Sequence, residues 1–172
     1  MDESRTKIVA LTSVMTALVY VMTSISVRMP APMGVWHIGD VASFISGILF
    51  GPMVGAFACG IGATLFDVWN PLGGSAYITW APATIVIRGI MGYLLGRYRK
   101  ISKSSVLISD ITIMAIAHVW KNLAYFAYDY YLFGPAAWLD IYTFFPLSAV
   151  SIAVTIPLLQ GLRRVLNVEY VM

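Results

Sequence analysis

The chain has 172 residues, 59% of them hydrophobic and only 11% charged, with a mean hydropathy of +0.81. A soluble domain carries roughly 25% charged residues, and a chain this short cannot hide so much apolar side chain inside a water-facing shell. The composition excludes a soluble globular protein and implies a polytopic membrane protein in the cell membrane. The formal charge of +3 is no sign of nucleic-acid binding, because the basic residues cluster beside apolar runs. The lone cysteine, Cys59, excludes an internal disulfide.

Apolar runs fall at 7–27, 40–50, 52–68, 80–96, 104–128 and 138–162. The first, within "MDESRTKIVALTSVMTALVYVM", is too long for the apolar region of a secretory signal and lacks a clear A-x-A site, so it reads as a retained helix. The second and third runs are separated only by Gly51-Pro52. Length alone favours one kinked helix over 40–68, because residues 40–50 rise only about 16 Å as a helix and a span needs about 30 Å. Charge argues the other way. Basic residues collect at Arg5 and Lys7, at Arg97, Arg99, Lys100 and Lys103, and at Arg163 and Arg164. The positive-inside rule wants all three groups on the cytoplasmic face, which requires an even number of crossings between Lys7 and Arg97. Breaking the run at Gly51-Pro52 gives four crossings. Gly suits a helix end, Pro a helix start, and the residue before Pro avoids the α region. Asp40 then reads as the N-cap of the short second helix.

The fourth, fifth and sixth runs are helices because backbone groups in lipid must be satisfied within the segment; no polar–apolar alternation supports a barrel. The expected fold is an all-α integral membrane protein, a single domain over 1–172 with six transmembrane helices and both termini cytoplasmic. The loops near Met33, Gly73 and Pro135 would lie outside.

Catalytic constellations are lacking: the sequence has no H-E-x-x-H, C-x-x-C, Walker loop or G-x-S-x-G. Neither catalytic residues nor a metal or cofactor site is expected. The polar groups inside the runs are more informative. Arg88 and Lys121 lie within the fourth and fifth runs, and a charge in the bilayer costs about 2.5–3.5 kcal/mol, so such residues face a cavity or a partner. His118, Asn122, Tyr125 and Asp129 follow at helical spacing, as do Trp80, Thr84 and Arg88, and Trp138, Tyr142 and Phe145. Trp36, His37, Asp67, Trp69 and Tyr77 sit in or beside the intervening loops. An aromatic concavity with a few polar groups is how small planar metabolites are held. The candidate substrate-binding residues are therefore Trp36, His37, Trp80, Thr84, Arg88, His118, Lys121, Asn122, Tyr125, Trp138 and Tyr142, between the last three helices. Against this, tryptophans at span ends also fit an interfacial belt, Asp67 fits an ordinary helix end, and Gly55, Cys59, Gly62, Gly92 and Gly96 fit close helix packing.

The segments "WHIGDVASFISGILFGPMVGAFACGIGATLFDVW" and "YITWAPATIVIRGIMGYLLG" resemble the substrate-binding S components of energy-coupling factor (ECF) vitamin transporters. The matching features are Gly39-Asp40, the Phe50-Gly51-Pro52 turn with Gly55 after it, Asp67, and Ala81-Pro82-Ala83-Thr84. The resemblance implies a subunit without enzymatic activity that takes up a vitamin or related micronutrient. It would work with a separate transmembrane coupling subunit and two ATP-binding subunits. The family's first helix often shows Ala-x-x-x-Ala where it meets the coupling subunit; Ser13-x-x-x-Ala17 is the nearest match here. Many members carry lysine at the position of Arg88. The second half holds no substrate signature: the aromatic residues suit a pyrimidine, thiazole, flavin or pteridine ring, and Arg88 with Lys121 would suit a carboxylate or phosphate. The alternative class is a small intramembrane enzyme or a ligand-free structural membrane protein.

Overall fold

A computed structural model describes residues 3–28, 35–70, 77–98 and 105–166. The expected loops at Met33 and Gly73, and Arg99, Lys100 and Lys103, lie outside these described residues. Six α-helices occur among them: α1 (Glu3–Ser24), α2 (Gly39–Phe50), α3 (Pro52–Val68), α4 (Ala81–Arg97), α5 (Val106–Phe133) and α6 (Trp138–Leu166). A 3-10 turn, Gly134–Ala137, joins the last two.

The break at Gly51-Pro52 is real. Gly51 adopts φ 94°, a left-handed value that favours glycine, and Pro52 opens α3 at its first turn. Gly51 N–H still donates to Gly47 O at 3.0 Å, and Gly55 N–H to Gly51 O at 2.9 Å, so the reversal strands neither group.

The 12 residues of α2 rise only about 18 Å. Eleven of them, Gly39 through Leu49, are buried, and α2 touches α1, α3, α4 and α6. This short helix is the axis of the bundle. Because it starts partway along its neighbours, it leaves a space above its first turn, enclosed by longer helices.

Tight packing around that axis depends on glycine. A Cβ on Gly92 of α4 would lie 2.1 Å from Gly55 O of α3, and one on Gly96 would lie 2.3 Å from the Gly51–Pro52 backbone. Where lipid offers no hydrophobic drive, such close approach supplies the dispersion contact that holds helices together. Phe44, Ile48, Met91, Leu95, Ile113, Met114 and Leu159 fill the core beside these contacts. The outer faces are apolar too: Val14, Phe57, Val86, Leu123 and Val150 are exposed. An exterior as apolar as this suits lipid and would not suit water.

The segment after α1 departs from the sequence reading, which has only a loop there. Ser26–Arg28 (β1) and Val35–His37 (β2) pair antiparallel, with Val27 opposite Trp36. Pairing satisfies backbone groups where the chain reverses over the bundle end. Strand alternation exposes Trp36 and turns Val35 and His37 inward.

Candidate functional site

The space above α2 is a partly open cavity. It lies toward the end of the bundle that holds the ribbon, the end of α3 and the start of α4. Three stripes wall it. At the start of α4, the N-cap Trp80, Thr84 and Arg88 recur every four residues; on α5, Lys121, Tyr125 and Asp129 do the same. The third wall is the end of α3, with Ala63, Phe66 and Asp67. Thr23 of α1, His37 of β2, Tyr77, and Phe144 and Leu147 of α6 complete it. The sequence placed the site between the last three helices under the outer loops; the cavity is also walled by α1 and the end of α3.

Its floor is ionic. Asp40, fully buried, accepts from Arg88 Nη1 at 2.7 Å and from Lys121 Nζ at 2.5 Å. Arg88 Nη2 also donates to Ser43 Oγ at 3.0 Å. This corrects the expected N-cap role of Asp40. The N-cap of α2 is Ile38, with no side-chain cap bond, and Asp40 lies inside the first turn. Two buried cations need a counter-charge far more than a helix end needs a cap, because burying an unpaired charge is among the costliest things a fold can do.

The walls are held by hydrogen bonds between side chains. Tyr125 hydroxyl donates to Thr84 Oγ1 at 2.9 Å, and Trp80 Nε1 donates to Asp129 Oδ1 at 2.6 Å. Trp80 also stacks on Phe133, centroids 5.7 Å apart, and meets Tyr77 at 6.1 Å. Phe66 stacks on Tyr77 at 5.8 Å. One flank of the cavity is therefore a continuous aromatic surface.

His37 enters from the ribbon. Its Nδ1 accepts from Gly39 N–H at 3.2 Å, which leaves the ring proton on Nε2 as a donor. Burial pushes its pKa down to about 3; Asp40 opposes the shift and the two cations reinforce it, so the ring stays neutral.

Of the eleven predicted binding residues, the structure brings His37, Trp80, Thr84, Arg88, Lys121 and Tyr125 to the cavity. The other five do not line it. His118 and Asn122 are one stripe further round α5 and turn toward α6, where both meet Ser148 Oγ, at 3.1 and 3.0 Å. Phe44 packs edge-on against the His118 ring at 4.8 Å. Trp36, Trp138 and Tyr142 are 39%, 56% and 77% exposed, on the outer surface near the helix ends. Such positions suit an interfacial belt. Sequence reasoning missed Thr23, Phe66 and Phe144; it grouped Asp67 with the outer-loop residues, with an ordinary helix end as the alternative, and left it out of the binding set. Asp67 is only 8% exposed, and its Oδ2 has no hydrogen-bond partner among the described residues. Nothing in the sequence distinguishes a buried aspartate at a helix end from a solvated one.

Expected partner residues Ser13 and Ala17 are both exposed on α1, away from the Met15–Val19–Thr23 stripe that faces the core. Ser13 Oγ donates back to Val9 O at 2.9 Å, leaving a small, self-satisfied surface. Among the described residues no group of three or more His, Cys, Asp or Glu could hold a metal ion.

An all-helical bundle with an apolar exterior, and an aromatic cavity over a buried ionic floor, is the build of a membrane-embedded solute-binding component of a transporter. Comparison with known families makes this specific: the family described as "ECF-type riboflavin transporter, S component" matches residues 3–164. The chain belongs to that family. It is a component for vitamin uptake and not an enzyme. A Pyrococcus woesei protein, described as an uncharacterized protein in the gap 3′ region, is 32% identical over 118 residues, which is 66% of this chain and 73% of that protein.

Proposed function

We propose that this protein is the riboflavin-binding subunit of an ECF transporter, taking the vitamin from outside the cell membrane and passing it inward. The observation that carries the reading is the cavity, with an aromatic flank beside polar groups that are themselves held in place. A flavin offers the matching surfaces: a flat ring system for Trp80, Tyr77 and Phe66, and polar edges for the floor. A stacked aromatic contact contributes about 0.5–1.5 kcal/mol beyond area burial. The site is preorganised, because Asp40, Arg88, Lys121, Thr84 and Tyr125 already hold one another. Preorganisation lowers the ordering cost of binding and supports high affinity.

In this reading all six helices cross the membrane as one domain, α2 only in part, and both chain ends face the cytoplasm. The basic residues Arg5, Lys7, Arg97, Arg163 and Arg164 then share the cytoplasmic side, and the cavity opens to the exterior. Energy comes from a transmembrane coupling subunit and two ATP-binding subunits, docked on the α1 face that carries Ser13 and Ala17.

Titration of riboflavin with the purified protein, followed by the flavin's own fluorescence, tests the function. Stacking against Trp80 should quench the signal saturably. Riboflavin should also appear by mass spectrometry in the protein purified from cells. Absence of both signals from folded protein would refute the reading.

A further inference from the structure

One wall group keeps an acceptor that nothing in the wall uses. Asp67 closes α3, lies 8% exposed against the cavity, and keeps its Oδ2 without a partner among the described residues. Thr84 steadies the carboxylate through a side-chain hydrogen bond. Thr84 is in turn fixed by the Tyr125 hydroxyl, which donates to it. A buried carboxylate oxygen left unmade is costly, and most such groups in folded proteins find a partner. Here the cavity is where a partner can come from.

The same wall offers unused donors. Arg88, one turn along α4 from Thr84, also lines the cavity, and its Nε has no partner among the described residues. Lys121 has three donors, of which one goes to Asp40. His37 presents a neutral ring with its proton on Nε2. An acceptor standing among donors is complementary to a ligand edge in which an N–H stands beside carbonyl oxygens.

We propose that Asp67 is a ligand-reading residue: its free carboxylate oxygen takes the ring N–H of a cyclic imide or lactam, while Arg88, Lys121 or His37 serve the adjoining carbonyls. The inference rests on the flavin reading and deepens it, because the pyrimidinedione end of the isoalloxazine carries this edge. It puts that end toward the α3–α4 wall. The ligand charge is specified too. Asp40 already bonds both cations and the carboxyl groups of Asp67 and Asp129 also line the cavity, so it suits an uncharged edge better than a further anion. Specificity arises from rejection: a ligand with no donor at this place leaves the carboxylate buried and unmet, the sort of mismatch that discriminates more strongly than lost apolar area.

The test compares riboflavin with 3-methylriboflavin, in which a methyl group replaces the imide hydrogen, on intact purified protein. Wild type should prefer riboflavin by about tenfold to a hundredfold, the range for one charge-assisted hydrogen bond. Asp67→Leu should bind riboflavin correspondingly more weakly and lose the preference between the two ligands. Asp67→Asn retains an acceptor oxygen and should retain part of the preference, whereas a merely structural aspartate would change both affinities together. Equal affinity of wild type for the two flavins would overturn the proposal while leaving riboflavin binding intact. So would an undiminished preference in folded Asp67→Leu. Failure of wild type to bind either flavin would overturn the flavin reading itself, and this inference with it.

Discussion

Replacing Asp40 by Asn isolates the ionic floor from every other feature of the fold. The side chain keeps its size and loses only its charge. Arg88, 2% exposed, and Lys121, 5% exposed, would then face each other without the carboxylate that now meets them at 2.7 and 2.5 Å. Breaking a buried pair by removing one partner costs about 3–5 kcal/mol. A helix N-cap role would cost almost nothing in this variant, because Asn caps a helix about as well as Asp. The two roles for Asp40 therefore differ by a measurable margin, and 3–5 kcal/mol is a large share of a total stability of roughly 5–15 kcal/mol. Unfolding in graded SDS, followed by tryptophan fluorescence in mixed micelles, would read the difference. Adding Lys121→Met to Asp40→Asn removes one of the stranded cations and should recover part of the loss. No measurable loss for Asp40→Asn, with no recovery in the double variant, would refute the ionic account.

Gly92→Ala, whose Cβ would meet Gly55 O at 2.1 Å, should destabilise by at least about 1–3 kcal/mol. Gly161→Ala, with nothing within 4 Å, should be neutral or stabilising by up to about 1 kcal/mol in the same unfolding assay. Ala17→Trp should block co-purification with the coupling subunit while riboflavin binding stays within twofold of wild type; an unchanged co-purification yield would place the docking face elsewhere. In a Cys59→Ser background, an impermeant thiol reagent should label Tyr131→Cys in intact cells and not Arg97→Cys. The reverse pattern would invert the proposed topology.

The sequence alone determined the class of protein and most of its helical frame. Composition excludes a water-soluble shell, and lipid leaves the backbone few ways to satisfy itself, so apolar runs can be read as helices almost directly. The Gly51-Pro52 break was legible because both residues act through their own backbone chemistry, without needing a neighbour. Spacing likewise placed Trp80, Thr84 and Arg88 on one face, since helical geometry fixes that relation within a single segment.

Tertiary structure decided what those faces meet. Lys121 and Asn122 are adjacent in sequence, yet one lines the cavity and the other turns toward α6 to bond Ser148. Rotation about a helix axis is set by packing partners, and these come from distant parts of the chain. Asp40 has the local signature of a cap, but its partners arrive from 48 and 81 residues away. Asp67 has the local signature of a helix end, and only the enclosure formed by α1, α4 and the ribbon makes its free oxygen meaningful. Local chemistry is written in consecutive residues, whereas burial and charge pairing depend on which segments share a volume, and that is settled only when the other helices close around α2.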